Sequence, residues 1–554
     1  MTRRAALFLA LALAGCDREE APAQEPVDLL LYNGTVLVLD EVGTQASAMA
    51  VRGDRIIAVG DDSLRERFDP DEALDLGGKT IMPGFVDSHI HVSGSPQRYV
   101  DLTNITSITH LTERIADKAK ALGPGEWITG YGWSEDQLEV GRRPERADLD
   151  AAAPDNPVVL TRAGGHSAVV SSLALMLAEI DEKTPQPEGG VIEKGADGKL
   201  NGIIRERQAL VTDLVPRSTA EELRPSHIAH LQALFAKGIT SIIQAQDTIE
   251  HYPEWEAIYT AYRGNLPRAA VQLTWEGDAA MAAFGRRSGD GDEHLRIGAI
   301  KVFVDGGFSG PAAYTRKPYR GMGEYRGSLS LPAAEIHDIL RSAHRDGWQL
   351  GVHAIGDAAI DLAVESLADV ITETPRADHR HYLNHFTLMP DTETLAQMVR
   401  QGIAITQQPN FTYTLEGRYL TYLEGDTLET NNPLRTPMNH GIHVALSSDI
   451  LPIGPVVGLY AAVTRKGQSG RVFGAAERIA MIDALRGYTI RGAWLTREET
   501  SKGTLEAGKL ADFIVLSGNP LRVSESEILD LQVEQTWLGG RKVYSAPITQ
   551  ETDA

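Results

Sequence analysis

Six residues of metal-ligand type end or interrupt apolar runs in this 554-residue chain: His89, His91, Lys301, His353, His385 and Asp449. His89 and His91 are two apart, so on an extended strand both rings point to the same face. Lys301 lies between Ile300 and Val302, and alternation puts Lys301, Phe303 and Asp305 on one face with Ile300, Val302 and Val304 on the other. A lysine turned toward a packed interior needs a partner or a modification, because an unpaired buried ammonium is costly. Imidazole nitrogen and carboxylate oxygen are the donors that suit Zn²⁺ and related divalent ions. The single cysteine, Cys16, rules out an intramolecular disulfide and any cysteine-rich metal site, so a metal must be held by nitrogen and oxygen.

Short apolar runs alternating with helical stretches position these residues, a pattern that predicts a parallel α/β fold. Eight strands are expected: Gly84–His91, Gly238–Gln244, Arg268–Thr274, Ile297–Asp305, Gln349–His353, His381–His385, Gly402–Gln407 and His443–Asp449. Eight is the number that closes a (β/α)₈ TIM barrel, whose chemistry sits at the C-terminal ends of the strands. The six residues fall on the first, fourth, fifth, sixth and eighth of these strands, five of them at or near the C-terminal end. The stretch between His91 and Gly238 is too long for one βα unit and predicts an inserted subdomain over about 95–235. Strand-and-turn patterns at both ends, 27–83 and 500–545, could make one composite β-sandwich domain around a barrel of 84–499. Asn33-Gly34 between two β-rich runs predicts a hairpin there.

The formal net charge of −23 opposes any sequence-independent grip on a phosphate backbone, so nucleic acid is not an expected partner. Arg3 and Arg4, the apolar run Ala5–Ala14 and then Gly15-Cys16 have the layout of a secretory signal over 1–15. Leu13-Ala14-Gly15-Cys16 resembles the lipobox of bacterial lipoproteins, which implies a lipid on Cys16 and an extracytoplasmic, periplasm-facing protein. Residues 16–26 read as a flexible tether, and Asp17 resembles an inner-membrane retention signal.

Pro83-Gly-Phe-Val-Asp-Ser-His89-Ile-His91, Ile300-Lys-Val-Phe-Val-Asp-Gly306, Val352-His-Ala-Ile-Gly-Asp357, Asn384-His385 and Ser447-Ser-Asp449 together resemble the amidohydrolase superfamily. The nearest branch is the amidohydrolase 3 type, which includes N-substituted formamide deformylase. The resemblance runs over about 27–544 and includes Gly503–Leu516 and, in the insertion, Gly165-His166-Ser167 and Gly202–Glu206. It implies that His89 and His91 bind one metal and His353 and His385 a second. Lys301, carboxylated, would bridge them, and Asp449 would bind metal and move protons. His166 and Glu206 match substrate-pocket positions, and Asp305 is grouped with them. Relatives usually carry glutamate before the sixth-strand histidine and Ala-Gln after it; here Asn384 precedes and Phe386-Thr387 follow.

The expected activity is hydrolysis of a C–N bond in an amide, formamide or cyclic amide by metal-activated water, with one or two ions, Zn²⁺ foremost. Asp449, its pKa depressed beside a metal, would take the water's proton and return it to the leaving nitrogen. The same site could cleave an ester or another polarised bond, since a fold does not fix a substrate. A lipoprotein that binds a ligand without turnover is the alternative of another class, and a binder needs no proton shuttle.

Overall fold

The computed structural model of the protein describes residues 24–103, 105–133, 138, 142–162, 167–187, 190–308, 311–450 and 452–547. Cys16, the signal segment, the tether before residue 24 and His166 lie outside the described residues. Among the described residues no helix is long and apolar enough to cross a membrane.

The eight expected strands form one sheet in chain order. They are Phe85–Ile90, Ile239–Asp247, Arg268–Thr274, Leu295–Phe303, Leu350–Ala354, Tyr382–His385, Ala404–Gln407 and Val444–Leu446. All seven neighbouring pairs are parallel. The first and eighth strands meet at a parallel bridge between Ile90 and Asp449, where the Asp449 amide donates to the His89 carbonyl at 2.8 Å. The result is the nearly closed eight-stranded parallel sheet of a TIM barrel. Its strands are buried on both faces, as parallel strands wrapped by helices must be; every residue of Phe85–Ile90 and of Leu350–Ala354 is buried.

The surrounding helices follow from local signals. Helix Thr392–Gln401 starts where the Asp391 carboxylate accepts from the Thr394 amide. It buries Leu395 and Met398, three apart on one face, and stops at Gly402, whose left-handed φ of 69° a Cβ would resist. Residues between the first and second barrel strands supply a separate six-stranded sheet, running in space from Tyr99–Asp101 through Ile128–Trp133, Val158–Arg162, Ser167–Val170 and Leu200–Arg205 to Val191–Lys194.

The two ends of the chain meet. Strand Phe513–Leu516 pairs antiparallel with Thr80–Pro83, placing C-terminal and N-terminal strands in one six-stranded sheet. A four-stranded sheet holds Arg55–Gly60, Ala48–Arg52, Glu25–Tyr32 and Phe68–Asp75 in that order.

Three sequence expectations change here. The chain does turn at Asn33-Gly34, with Asn33 at φ 58° and its side-chain Nδ2 donating to Asp75 Oδ1 at 2.7 Å, but it does not make a hairpin. Strand Glu25–Tyr32 belongs to the four-stranded sheet and Thr35–Leu37 to the six-stranded one, so the turn carries the chain from one sheet to the other. Strand Phe68–Asp75 went unseen because its sequence, FDPDEALD, is half charged and mostly exposed. It is an edge strand, where polar residues and proline are tolerated. Order also starts inside the expected tether, since Glu25 and Pro26 pair with Phe68 and Asp69.

Candidate metal centre

Barrel curvature brings the six residues named from sequence to one end of the sheet. The His89 and His385 rings stand 4.8 Å apart between centroids, His353 and His385 4.4 Å, and His89 and His91 5.6 Å. One donor atom each from His89, His385 and Asp449 lie within 4.8 Å of one another, the spacing at which a single cation can be shared. Asp449 sits between the rings, Oδ1 3.6 Å from His91 Nε2 and Oδ2 3.8 Å from His385 Nδ1. Lys301 Nζ lies 3.5 Å from His89 Nε2 and 4.9 Å from the Phe303 ring centre. His91, with 39% of its side chain exposed, is the member that faces the opening.

Burial governs the charge of the cluster. It pushes His89, His353 and His385 well below the usual histidine range, with the Lys301 charge adding to the effect. His91 falls to about 4 for the same reasons. All four are therefore neutral imidazoles at pH 7, the form that binds metal. Burial also drives the Lys301 amine far down, with the Asp449 carboxylate opposing it. Burial raises the Asp449 pKa, and the Lys301 charge pulls it back. A divalent cation would act in the same direction as Lys301.

The donor set fits a divalent ion. It offers ring nitrogens and carboxylate oxygen without sulfur, and His353 Nε2 is buried with no hydrogen-bond partner. The backbone is held in uncommon conformations at the same place. His385, Phe386 and Asp449 all have left-handed φ, at 78°, 51° and 58°, which non-glycine residues adopt where the surroundings impose it.

Asp305 is close to His353, Oδ1 lying 3.7 Å from Nε2, but its oxygens are engaged by the backbone. They accept from the amides of Tyr314, Ile355 and Gly356 at 2.9, 3.0 and 2.8 Å. Its role in the structure is to fasten the segment after the fourth strand to the end of the fifth. Glu206 is exposed after the insertion strand Leu200–Arg205, with a left-handed φ of 58°.

Three further residues were not singled out as part of the site from sequence. Asn384 Oδ1 is 2.7 Å from His89 Nδ1, and Gln408 Oε1 is 2.8 Å from His385 Nδ1. Asp87, wholly buried, accepts from the amides of Ser448 and His89 at 3.0 and 3.4 Å, tying the first strand to the turn that carries Asp449. Burial pushes Asp87 up to about 7. The available signal was slight: Asp87 and Asn384 are polar residues within two positions of a strand histidine, and Gln408 directly follows strand Ala404–Gln407.

Known proteins are similar to this chain over nearly its whole length. Putative amidohydrolase YtcJ of Bacillus subtilis (strain 168) is 29% identical over 536 residues, covering 93% of this chain and 98% of its own length. N-substituted formamide deformylase of Arthrobacter pascens is 29% identical over 538 residues, covering 93% and 97%. An uncharacterized metal-dependent hydrolase from Pyrococcus furiosus superposes with a TM-score of 0.70 at 25% identity, over 89% of this chain and all of that one. The model of the amidohydrolase family matches residues 72–544, a span that holds the barrel and all six clustered residues. With that match over most of its length, the chain belongs to the amidohydrolase family.

Proposed function

We propose that this protein is a metal-dependent hydrolase that cleaves a C–N bond of an amide, formamide or cyclic amide. The observation that carries the reading is the convergence of four neutral imidazoles, one lysine and one carboxylate at the C-terminal mouth of the barrel. The likeness to N-substituted formamide deformylase supports the choice of bond. His89, His91, His353, His385 and Asp449 would hold the metal, Zn²⁺ foremost, with a carboxylated Lys301 bridging if two ions bind. When bound, the ion supplies Lewis acidity, which polarises the carbonyl and lowers the pKa of water. Asp449 takes a proton from the attacking water at a carboxylate oxygen and gives it to the leaving nitrogen. Asp305 holds the segment after the fourth strand against the end of the fifth, beside His353. His166 and Glu206 are read as substrate contacts supplied by the insertion.

Metal analysis of the purified protein beside turnover of a panel of N-acyl amides, formamides, cyclic amides and matched esters tests this. One or two divalent ions per chain are expected, with amide turnover abolished by chelation and restored by Zn²⁺. Ester cleavage without amide cleavage would move the reading to another bond. Ligand binding with no product from any substrate would make the protein a non-catalytic binder.

The two terminal sheets are read as a composite β-sandwich, supported by the core that Leu31, Met49, Val51, Val36, Ile81, Phe513 and Trp537 share. Cys16 is read as a lipid-bearing mature N-terminus on the extracytoplasmic side. Cys16→Ser should shift the protein from the membrane fraction to the soluble one; equal membrane retention of variant and parent would overturn this.

A further inference from the structure

Two metal-facing histidines are each held by an uncharged side-chain amide. Asn384 is fully buried and Gln408 is 1% exposed, so neither hydrogen bond is shared with bulk solvent. Gln408 has one orientation open to it. Its Nε2 donates to Ser447 Oγ at 2.9 Å, which leaves Oε1 for His385 Nδ1 at 2.8 Å. Ser447 is fixed in turn by Thr406 Oγ1 at 3.1 Å, and Thr406 by Ser88 Oγ at 2.5 Å. Ser88 donates to the Leu446 carbonyl at 2.8 Å, so this buried chain ties the first, seventh and eighth strands to the histidine of the sixth.

An amide oxygen can only accept, so the proton of a neutral His385 must sit on Nδ1. His89 obeys the same logic. Its Nδ1 faces the accepting Asn384 Oδ1 at 2.7 Å, and its Nε2 lies on the Lys301 side, 3.5 Å from Nζ. In both rings Nε2 keeps the lone pair.

We propose that Asn384 and Gln408 are positioning residues for the metal centre, each fixing the tautomer and rotation of one ligand histidine through a neutral amide oxygen. This rests on the metal-dependent reading above. A carboxylate at either place would also accept from Nδ1, but it would add a buried anion beside Asp87 and Asp449 and make the ring a more basic ligand. Neutral amides meet the geometric need without that charge.

The test measures Zn²⁺ dissociation constants of the full chain by competition with a chromophoric chelator, beside the thermal midpoint of each metal-free variant. Gln408→Leu and Asn384→Leu should weaken Zn²⁺ binding by about 10- to 100-fold, the usual effect of removing the partner of a ligating histidine. Gln408→Glu and Asn384→Asp keep an acceptor on Nδ1 and should bind Zn²⁺ more tightly than the leucine variants. Ser447→Ala leaves both ring contacts but frees the Gln408 amide to turn, and it too should bind more weakly. A role limited to packing predicts a lowered midpoint with unchanged affinity, and that result in the leucine variants would overturn the proposal. So would acid variants that fold yet bind no better than the leucine ones. If the leucine variants fail to fold, Ser447→Ala decides: parental Zn²⁺ affinity refutes the proposal. A parent protein that binds no divalent ion would bring down the metal reading itself, before any variant is compared.

Discussion

Asp449→Asn should keep most of its metal and lose on the order of 10²-fold or more in kcat, the usual scale of general acid–base assistance. Asparagine preserves size and one oxygen that can ligate, but removes the basicity. The side chain is well fixed for the role: its backbone is left-handed, its amide donates to the His89 carbonyl at 2.8 Å, and its two oxygens lie near His91 and His385. Because burial raises its pKa, its ionised form depends on nearby positive charge, from Lys301 and from the metal. KM should change far less than kcat, since the lost interaction acts mainly in the transition state. Steady-state kinetics on the best amide, with metal content measured on the same samples, checks this. A fully metallated Asp449→Asn enzyme with near-parental kcat would show that another group moves the proton. Asp305 is a poor substitute, because its oxygens already take three backbone amides.

The second large effect concerns Lys301. Lys301→Ala should lower kcat by more than about 10²-fold, the scale seen when charge stabilisation at a reacting centre is removed. Formate or acetate supplied with Zn²⁺ should restore part of it. Lys301 is 3% exposed, with its amine 3.5 Å from His89 Nε2 and 4.9 Å from the Phe303 ring centre. A cation is expensive in such a place, and burial therefore favours the neutral amine. A neutral amine can attack CO₂: the N–C bond forms, a proton leaves nitrogen, and the product is an anionic carbamate whose oxygens suit divalent ions. Isotopically labelled CO₂ should give a carbamate resonance in the parent protein that Lys301→Ala lacks. An unmodified lysine in a fully metallated crystal structure would refute the carbamate.

Much of the barrel was determined by local sequence. Its strands are short apolar runs buried on both sides, and a parallel sheet requires that run length and composition wherever it occurs. The six clustered residues were legible for a related reason: a histidine, lysine or aspartate costs too much in such a run unless something binds it, so its type and position mark the mouth. Tertiary structure alone decided which of these groups meet and what holds them. The Ile90–Asp449 bridge joins residues at opposite ends of the barrel sequence, and no periodicity reports that closure. Asn33-Gly34 shows the limit from the other side. The turn is local and was readable, but the partners of its flanking strands are not, because pairing depends on Phe68–Asp75, Thr80–Pro83 and the distant Phe513–Leu516. Asp305 shows it again at the site: alternation grouped it with Lys301, while the amides that occupy its oxygens come from residues 314, 355 and 356. Asn384 and Gln408 are ordinary amides by type. Only the closed barrel, by bringing them within hydrogen-bonding reach of His89 and His385 respectively, makes them part of the centre.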